Sequence, residues 1–317
     1  MLMPLRSLPV RIARRLKVAA ESIVIGADIA RKWQEDRQAL PLTPAHRELY
    51  DIVHRFSWQY LKSFPDLVSP RDFNDRMQWL KLFDQRFETV LCSDKIRLRE
   101  HVERVLGPGH TPDILQIHER FSQIDGSVML VTDKGAVDHE KTGRHFDRAL
   151  SRVFGWEAGE WAYRFIVPRL CVERMIETDD GEAPADYKCF CSDGRVKFVR
   201  YISDRYTGYK RQTIDPDGRD MQLSLDPAGK EGFDFRKPEN WSEMIAAAEA
   251  LSRGFKFVRV DLYLSRSRIL VGEMTFWPSA GIYLGDVQKK LGLLLDFDRT
   301  TFQPFLIPQL LASRPLV

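Results

Sequence analysis

Ile12, Leu16, Ala19 or Ala20, and Ile23 recur at three- and four-residue spacing, with Arg11, Arg14 and Arg15 on the opposite side, which predicts an amphipathic helix at the start of the chain. The first 110 residues read as helical. Thr43-Pro44 and Ser69-Pro70 each set a capping hydroxyl before a proline at the first helical position, and Asp72 follows Ser69 by three. Helices are expected over 71–83 and 94–106, the second stopped by Gly107-Pro108-Gly109. From Ile114 the pattern shortens to strand-like apolar stretches, such as 128–131 and 165–176.

Asp193-Gly194 between 187–191 and 196–201 is a strong hairpin signal. With Ser192 opposite Arg195, Lys188 would face Val199 and Phe190 would face Lys197. A polar loop is expected over 211–232, then a helix begun by Asn240 and Glu243 and ended by Gly254. Two strands follow, 255–264 (FKFVRVDLYL) and 269–277 (ILVGEMTFW), apolar at nearly every position and so covered on both faces. Into them the chain sets Asp261 and Glu273. A five-residue loop over 265–269 places the two acids opposite each other, whereas a four-residue loop pairs Asp261 with Gly272. Opposed carboxylates repel unless a cation or a shared proton compensates. Mg²⁺ takes oxygen ligands, often one or two carboxylates plus substrate phosphates. With Arg259 on the same face, the acids suggest a Mg²⁺-phosphate site, or else salt bridges to Arg259 and Arg268.

The 317 residues are 44% hydrophobic and 29% charged, with 19 Gly and 17 Pro, as in a globular protein of two domains or one large α/β body. Residues 1–20 carry five basic side chains and no acid, a local +5 against +3 for the whole chain, which leaves the remainder at −2. A nearly neutral body argues against extensive nucleic-acid binding. The basic leader fits either a helix on an anionic membrane surface or the solvated face of a helix packed on the body. Among the four cysteines one C-x-C occurs, Cys189 and Cys191, and no C-x-x-C, so buried thiols in a reducing compartment are expected. The seven histidines form no HExxH, and neither GxSxG nor a Walker A loop is present.

Several segments together resemble one family. They are Phe73-Asn74-Asp75-Arg76-Met77-Gln78-Trp79-Leu80-Lys81, Ser93-Asp94-Lys95 with Arg99, and Trp161-x-Tyr163 with Pro168-Arg169 and Glu173. Asp186-Tyr187-Lys188-x-Phe190, Gly254-Phe255-x-Phe257-Val258-Arg259-Val260-Asp261-Leu262-Tyr263 and Gly272-Glu273-Met274-Thr275-Phe276 complete the set, from about residue 70 to 285. In order and spacing the set is similar to the TupA-like ATP-grasp family of teichuronopeptide and other polysaccharide synthesis. The resemblance implies an α+β fold in which two lobes clamp ATP, here over 69–317 after a helical region at 1–68. Residues 69–112 would be its helical part, 113–172 a shortened nucleotide lobe, and 173–317 the metal and nucleotide lobe.

It also implies a cytoplasmic ATP- and Mg²⁺-dependent ligase that joins a carboxylate, small or on a lipid-linked saccharide, to an amino compound. Asp261 and Glu273 would hold Mg²⁺, Lys188 and Arg259 would be catalytic, and Glu173, Lys188, Gly126 and Ser127 would bind the nucleotide. Lys95 and Arg99 would position substrate or serve packing, and residues 1–30 would touch the inner face of the membrane. Such chemistry needs positioned cations and metal carboxylates rather than a side-chain nucleophile. One departure stands out. The family has a lysine-bearing strand before the Gly loop, and between Phe121 and Gly126 no such strand is found, a shortfall of about ten to twenty residues. A pseudoenzyme binding a nucleotide or sugar phosphate, replacement by Lys134 or Lys141, or omission of a segment from the sequence would each account for it. A glycosyltransferase is a further alternative.

Overall fold

The computed structural model describes residues 10–120, 139–152, 154–178, 184–203, 210–225 and 235–300. Helix α1, Val10–Ala39, is the expected opening helix. Its C-terminal half is docked: Ile29 and Trp33 are buried, Trp33 lies edge-on to Tyr50 at 4.9 Å, and the Tyr50 hydroxyl donates to Asp36 at 2.8 Å. Further up, Ile23 is 73% exposed. Helix α2 follows over Arg47–Leu61, and α3 over Phe73–Phe83. The cap of α3 is Asp72 and not Ser69, because the Asp72 carboxylate accepts the Asp75 N–H at 2.9 Å. The helix expected over 94–106 begins four residues later, as α5, Leu98–Leu106, and a short helix that was not expected, α4, Phe87–Ser93, precedes it. Asp94 makes the break by turning its carboxylate onto the Ile96 N–H at 2.9 Å. Gly107, at φ 89°, stops α5 as expected.

Strands β1, Ile114–His118, and β2, Leu170–Glu173, form a two-stranded antiparallel sheet. Much of the apolar stretch 165–176 is therefore not strand, and a 3-10 helix over Trp161–Phe165 precedes it. The expected strand at 128–131 lies outside the described residues. Helix α6 covers His139–Leu150. The main sheet is antiparallel and orders its strands β5-β4-β3-β6-β7. These are β3, Asp186–Ser192, β4, Arg195–Ser203, β5, Lys210–Ile214, β6, Phe257–Ser265, and β7, Arg268–Thr275. The edge strand β5 lies in what reads as a polar loop, since KRQTI lacks apolar alternation and only pairing with β4 makes it extended. Helix α7, Trp241–Ser252, covers the face carrying Cys191, whose thiol lies 3.9 Å from the Ala248 carbonyl oxygen. Asn240 does not cap it but donates to the Ser267 carbonyl at 2.8 Å. On the opposite face Phe257 packs edge-on against Phe73 of α3, with centroids 5.9 Å apart.

Two bulges set the registers. Asp193-Gly194 forms the expected two-residue turn, but a bulge at Lys197 pairs Phe190 with Phe198 and Lys188 with Arg200, each one residue beyond the regular partner. Between β6 and β7 the turn is the left-handed pair Arg266-Ser267 rather than a five-residue loop. An even turn alone would bring Gly272 to Asp261. A bulge at Gly272 restores Asp261 opposite Glu273, and the Tyr263 ring lies against this glycine where a Cβ would be.

Helix α8, Val287–Leu294, crosses the start of α3, where a Cβ on Gly292 would lie 2.6 Å from the Asp72 Cα. Main chain cannot move aside as a side chain does. Gly292→Ala is therefore expected to cost about 1–3 kcal/mol, read as a fall of several degrees in Tm by thermal denaturation. An unchanged Tm would show that the two helices separate freely.

Candidate active site

One charged row crosses all five strands of the main sheet. Thr213, Arg200, Lys188, Asp261 and Glu273 are successive cross-strand partners on β5, β4, β3, β6 and β7, so the pleat brings their side chains to one face. The Arg200 guanidinium donates to the Thr213 hydroxyl at 2.7 Å. The Lys188 ammonium bonds Asp261 Oδ2 and stands 3.4 Å from Asp186. Arg259, two residues before Asp261 on β6, ties the acids together. Its Nε and Nη2 donate to the two Asp261 oxygens at 2.6 and 2.8 Å, and Nη2 also reaches Glu273 Oε1 at 2.5 Å and Thr275 Oγ1 at 3.0 Å. The Thr275 hydroxyl donates to Glu273 Oε1 at 3.1 Å. Of the two salt-bridge partners considered from sequence, Arg259 serves both acids, while Arg268 sits exposed at the turn.

The acids differ because one is buried. The Asp261 side chain is 1% exposed and that of Glu273 is 54% exposed. Burial pushes the Asp261 carboxyl up to about 6, although Arg259 and Lys188 oppose it. At Glu273 burial also acts upward, but Arg259, Asp261, Lys188 and Thr275 together outweigh it and hold the carboxyl below its ordinary range. The phenol of Tyr163, in the 3-10 helix before β2, is raised first by burial and then by the carboxylates of Glu160 and Glu273, while Arg259 opposes the rise.

The other site candidates are placed elsewhere. Lys95 and Glu173 come together at 2.5 Å, on the side of the two-stranded sheet. Arg99 donates to the Pro112 carbonyl, and Asp94 pairs with Arg169 at 2.8 Å. Gly126, Ser127 and Lys134 lie outside the described residues, and Lys141 is on α6. Cys92, Cys189 and Cys191 are buried free thiols, and Cys171 is a half-buried one. Sequence reasoning missed Arg200, Thr213 and Asp186. Only the register set by the bulge at Lys197 brings Arg200 beside Lys188.

Among the described residues no cluster of three His, Cys, Asp or Glu side chains could hold a metal. A divalent cation here would rest on Asp261 and Glu273. The donor set fits Mg²⁺: both ligands are carboxylate oxygens on one face, and Glu273 opens to solvent, leaving the other positions to water and phosphate. In this arrangement the positive charge next to Asp261 is supplied by Arg259 and Lys188.

The TupA-like ATPgrasp family matches over residues 75–295. No curated protein matches the chain. Among solved structures, the ATP-grasp ligase PsnB complexed with minimal precursor is 11% identical, covering 66% of this chain and 61% of that one with a TM-score of 0.29. The same ligase with minimal precursor, Mg and ADP is 12% identical, covering 66% and 59% with a TM-score of 0.30. The chain thus spans about three fifths of the length of these structures. No helix among the described residues is long and apolar enough to cross a membrane. With its motifs matched over the region that builds the charged row, the chain belongs to the TupA-like ATP-grasp family.

Proposed function

We propose that this protein is an ATP- and Mg²⁺-dependent carboxylate–amine ligase acting in the synthesis of a surface polysaccharide or a teichuronopeptide-type polymer. The observation that carries the reading is one face of the main sheet, where Arg200, Lys188 and Arg259 are gathered with Asp186, Asp261 and Glu273. In the reaction the carboxylate substrate takes the γ-phosphoryl group and ADP leaves. The amine then attacks the carbonyl carbon of the acylphosphate, phosphate departs, and an amide remains. Mg²⁺, when bound, neutralises charge on the phosphates.

Asp261 and Glu273 are the residues to hold the metal. Arg259 keeps both carboxylates aimed at one point and offers charge to the transferred group. Lys188, on release from Asp261, is placed to meet phosphate oxygens. Such transfer is positioning and charge neutralisation, which is what this row supplies. Glu173, paired with Lys95, would meet the adenosine, with Gly126 and Ser127 over the phosphates, while Lys95 and Arg99 would orient substrate. The acceptor would be a carboxylate-bearing saccharide, small or lipid-linked, and the protein cytoplasmic, with residues 1–30 lying on the anionic inner face of the membrane.

Thermal denaturation with Mg-ATP tests this. At a hundredfold excess over Kd a competent site adds about 2.7 kcal/mol, visible as a rise in Tm. A metal ligand must be ionised, so affinity for Mg-ATP is expected to fall about tenfold per pH unit once the pH drops below about 6, where Asp261 takes its proton. No rise in Tm at pH 7.5 would sink the ligase reading. A rise with a UDP-sugar in place of ATP points to a glycosyltransferase, and nucleotide binding without acceptor-dependent ADP release points to a non-catalytic binder.

A further inference from the structure

Helix α3 carries the first of the family-like segments, yet the reaction as proposed assigns it nothing. Three of its polar side chains, Asn74, Gln78 and Lys81, follow one another at i, i+4 and i+7 and are 2%, 0% and 0% exposed. Buried polar groups persist where they are hydrogen-bonded. All three bond the same short stretch of main chain. Asn74 donates from Nδ2 to the Tyr283 carbonyl at 2.9 Å and accepts the Tyr283 N–H on Oδ1 at 2.8 Å. Gln78 Nε2 donates to the Gly281 carbonyl at 3.2 Å, and Lys81 Nζ to the Ala280 carbonyl at 2.8 Å. Lys81 also donates to Gln78 Oε1 at 2.9 Å and to the Ala158 carbonyl at 2.7 Å, with the Glu160 carboxylate facing it.

The stretch so held does not form by itself. Ser279, Ala280 and Gly281 are all left-handed, at φ 54°, 52° and 74°, a conformation that Ser and Ala avoid. A Cβ on Gly281 would stand 2.7 Å from the Met77 Cβ, so the turn is pressed onto α3. It begins just after β7 and delivers Tyr283 to the charged row. The Tyr283 ring is edge-on to Phe73 at 5.1 Å, and Phe73 in turn stands 5.9 Å from Phe257, on the face of β6 that carries Arg259 and Asp261. The phenol bonds the Ser279 side chain within the same turn and feels Arg259, Arg200 and Asp261. Burial raises that phenol, so it remains a neutral donor at physiological pH.

We propose that Asn74, Gln78 and Lys81 are positioning residues that clamp the left-handed turn at 279–281 and thereby fix the Tyr283 hydroxyl as a further donor to the phosphoryl oxygens bound at the row. The proposal rests on the ligase reading above. The sheet supplies charge, and α3 determines where the phenol stands relative to it.

Hydrogen exchange over 276–290, with Mg-ATP titration of the same samples, tests both halves. Asn74→Ala and Gln78→Ala are expected to speed exchange of the Tyr283 amide by about a hundredfold while β3 and β6 stay protected, and to weaken Mg-ATP binding by about tenfold. Tyr283→Phe is expected to keep the exchange pattern, lower kcat for ADP release by about tenfold and leave Tm within a degree or two. Should Asn74→Ala fail to fold, Gln78→Ala and Tyr283→Phe carry the test. Unchanged exchange in the α3 variants overturns the clamp. Faster exchange with wild-type Mg-ATP affinity reduces α3 to scaffolding, and wild-type kcat in Tyr283→Phe removes the donor. Failure of the wild type itself to bind Mg-ATP overturns the ligase reading with it, whereas wild-type binding with unaffected variants overturns this inference alone.

Discussion

Asp261→Asn is expected to lower Mg-ATP-dependent ADP release by roughly 10²–10³-fold, the usual loss when one group that stabilises transferred charge is removed. The same substitution should leave the ligand-free Tm nearly unchanged. Burial raises Asp261 to about 6 from 3.8, so between those values the folded protein binds the extra proton and stability falls as pH rises. Above about 6 the ionised carboxylate is thus a net burden on the fold despite two cationic partners, and an amide of the same shape relieves it. A buried charge kept at a cost to stability points to function. The measurement is a pair of titrations, Mg-ATP affinity and ADP release, beside a melting curve. Wild-type affinity for Mg-ATP in Asp261→Asn would falsify the metal assignment, and a large fall in ligand-free Tm would show that the acid serves the fold.

Arg259→Met should have the opposite balance, with a large effect on stability. Arg259 makes four hydrogen bonds, two to Asp261 and one each to Glu273 and Thr275. Without it Asp261 keeps Lys188 alone and faces Glu273 across the strand pair. Removing one partner from a buried ion pair typically costs 3–5 kcal/mol, about that range here. The loss is expected to be larger at pH 8 than at pH 5, because at pH 5 Asp261 escapes the imbalance by taking a proton. Combined with Asp261→Asn, much of the stability should return. Urea denaturation at the two pH values reads this directly. Equal losses at both, with no recovery in the double variant, would mean that Arg259 matters through its packing.

Local pattern explains what was legible and what was not. The α3 and α7 helices, the Asp193-Gly194 turn and both strands of the β6–β7 hairpin are within two or three residues of their expected bounds, since side-chain period and turn chemistry act over a few residues. The edge strand β5 was invisible because its extension comes from β4 and not from its own KRQTI. Asn240 and Ser69 look like caps in sequence. In the fold Asn240 braces the β6–β7 turn, and Asp72 caps in place of Ser69.

By itself the sequence determined the composition of the site: Asp261, Glu273, Arg259 and Lys188 on strands, in motifs shared with the family that matches residues 75–295. Tertiary structure decided their register. A five-residue loop was the condition for opposing the two acids, and the fold reached the same pairing through a two-residue turn and a bulge at Gly272. Another bulge, at Lys197, put Arg200 rather than Val199 beside Lys188 and so completed a row across all five strands. A bulge adds one residue to one strand, and whether it forms depends on what packs on both faces, which no local period records. The polar stripe on α3 follows the same rule: Asn74, Gln78 and Lys81 are buried because residues two hundred positions away supply carbonyls they bind.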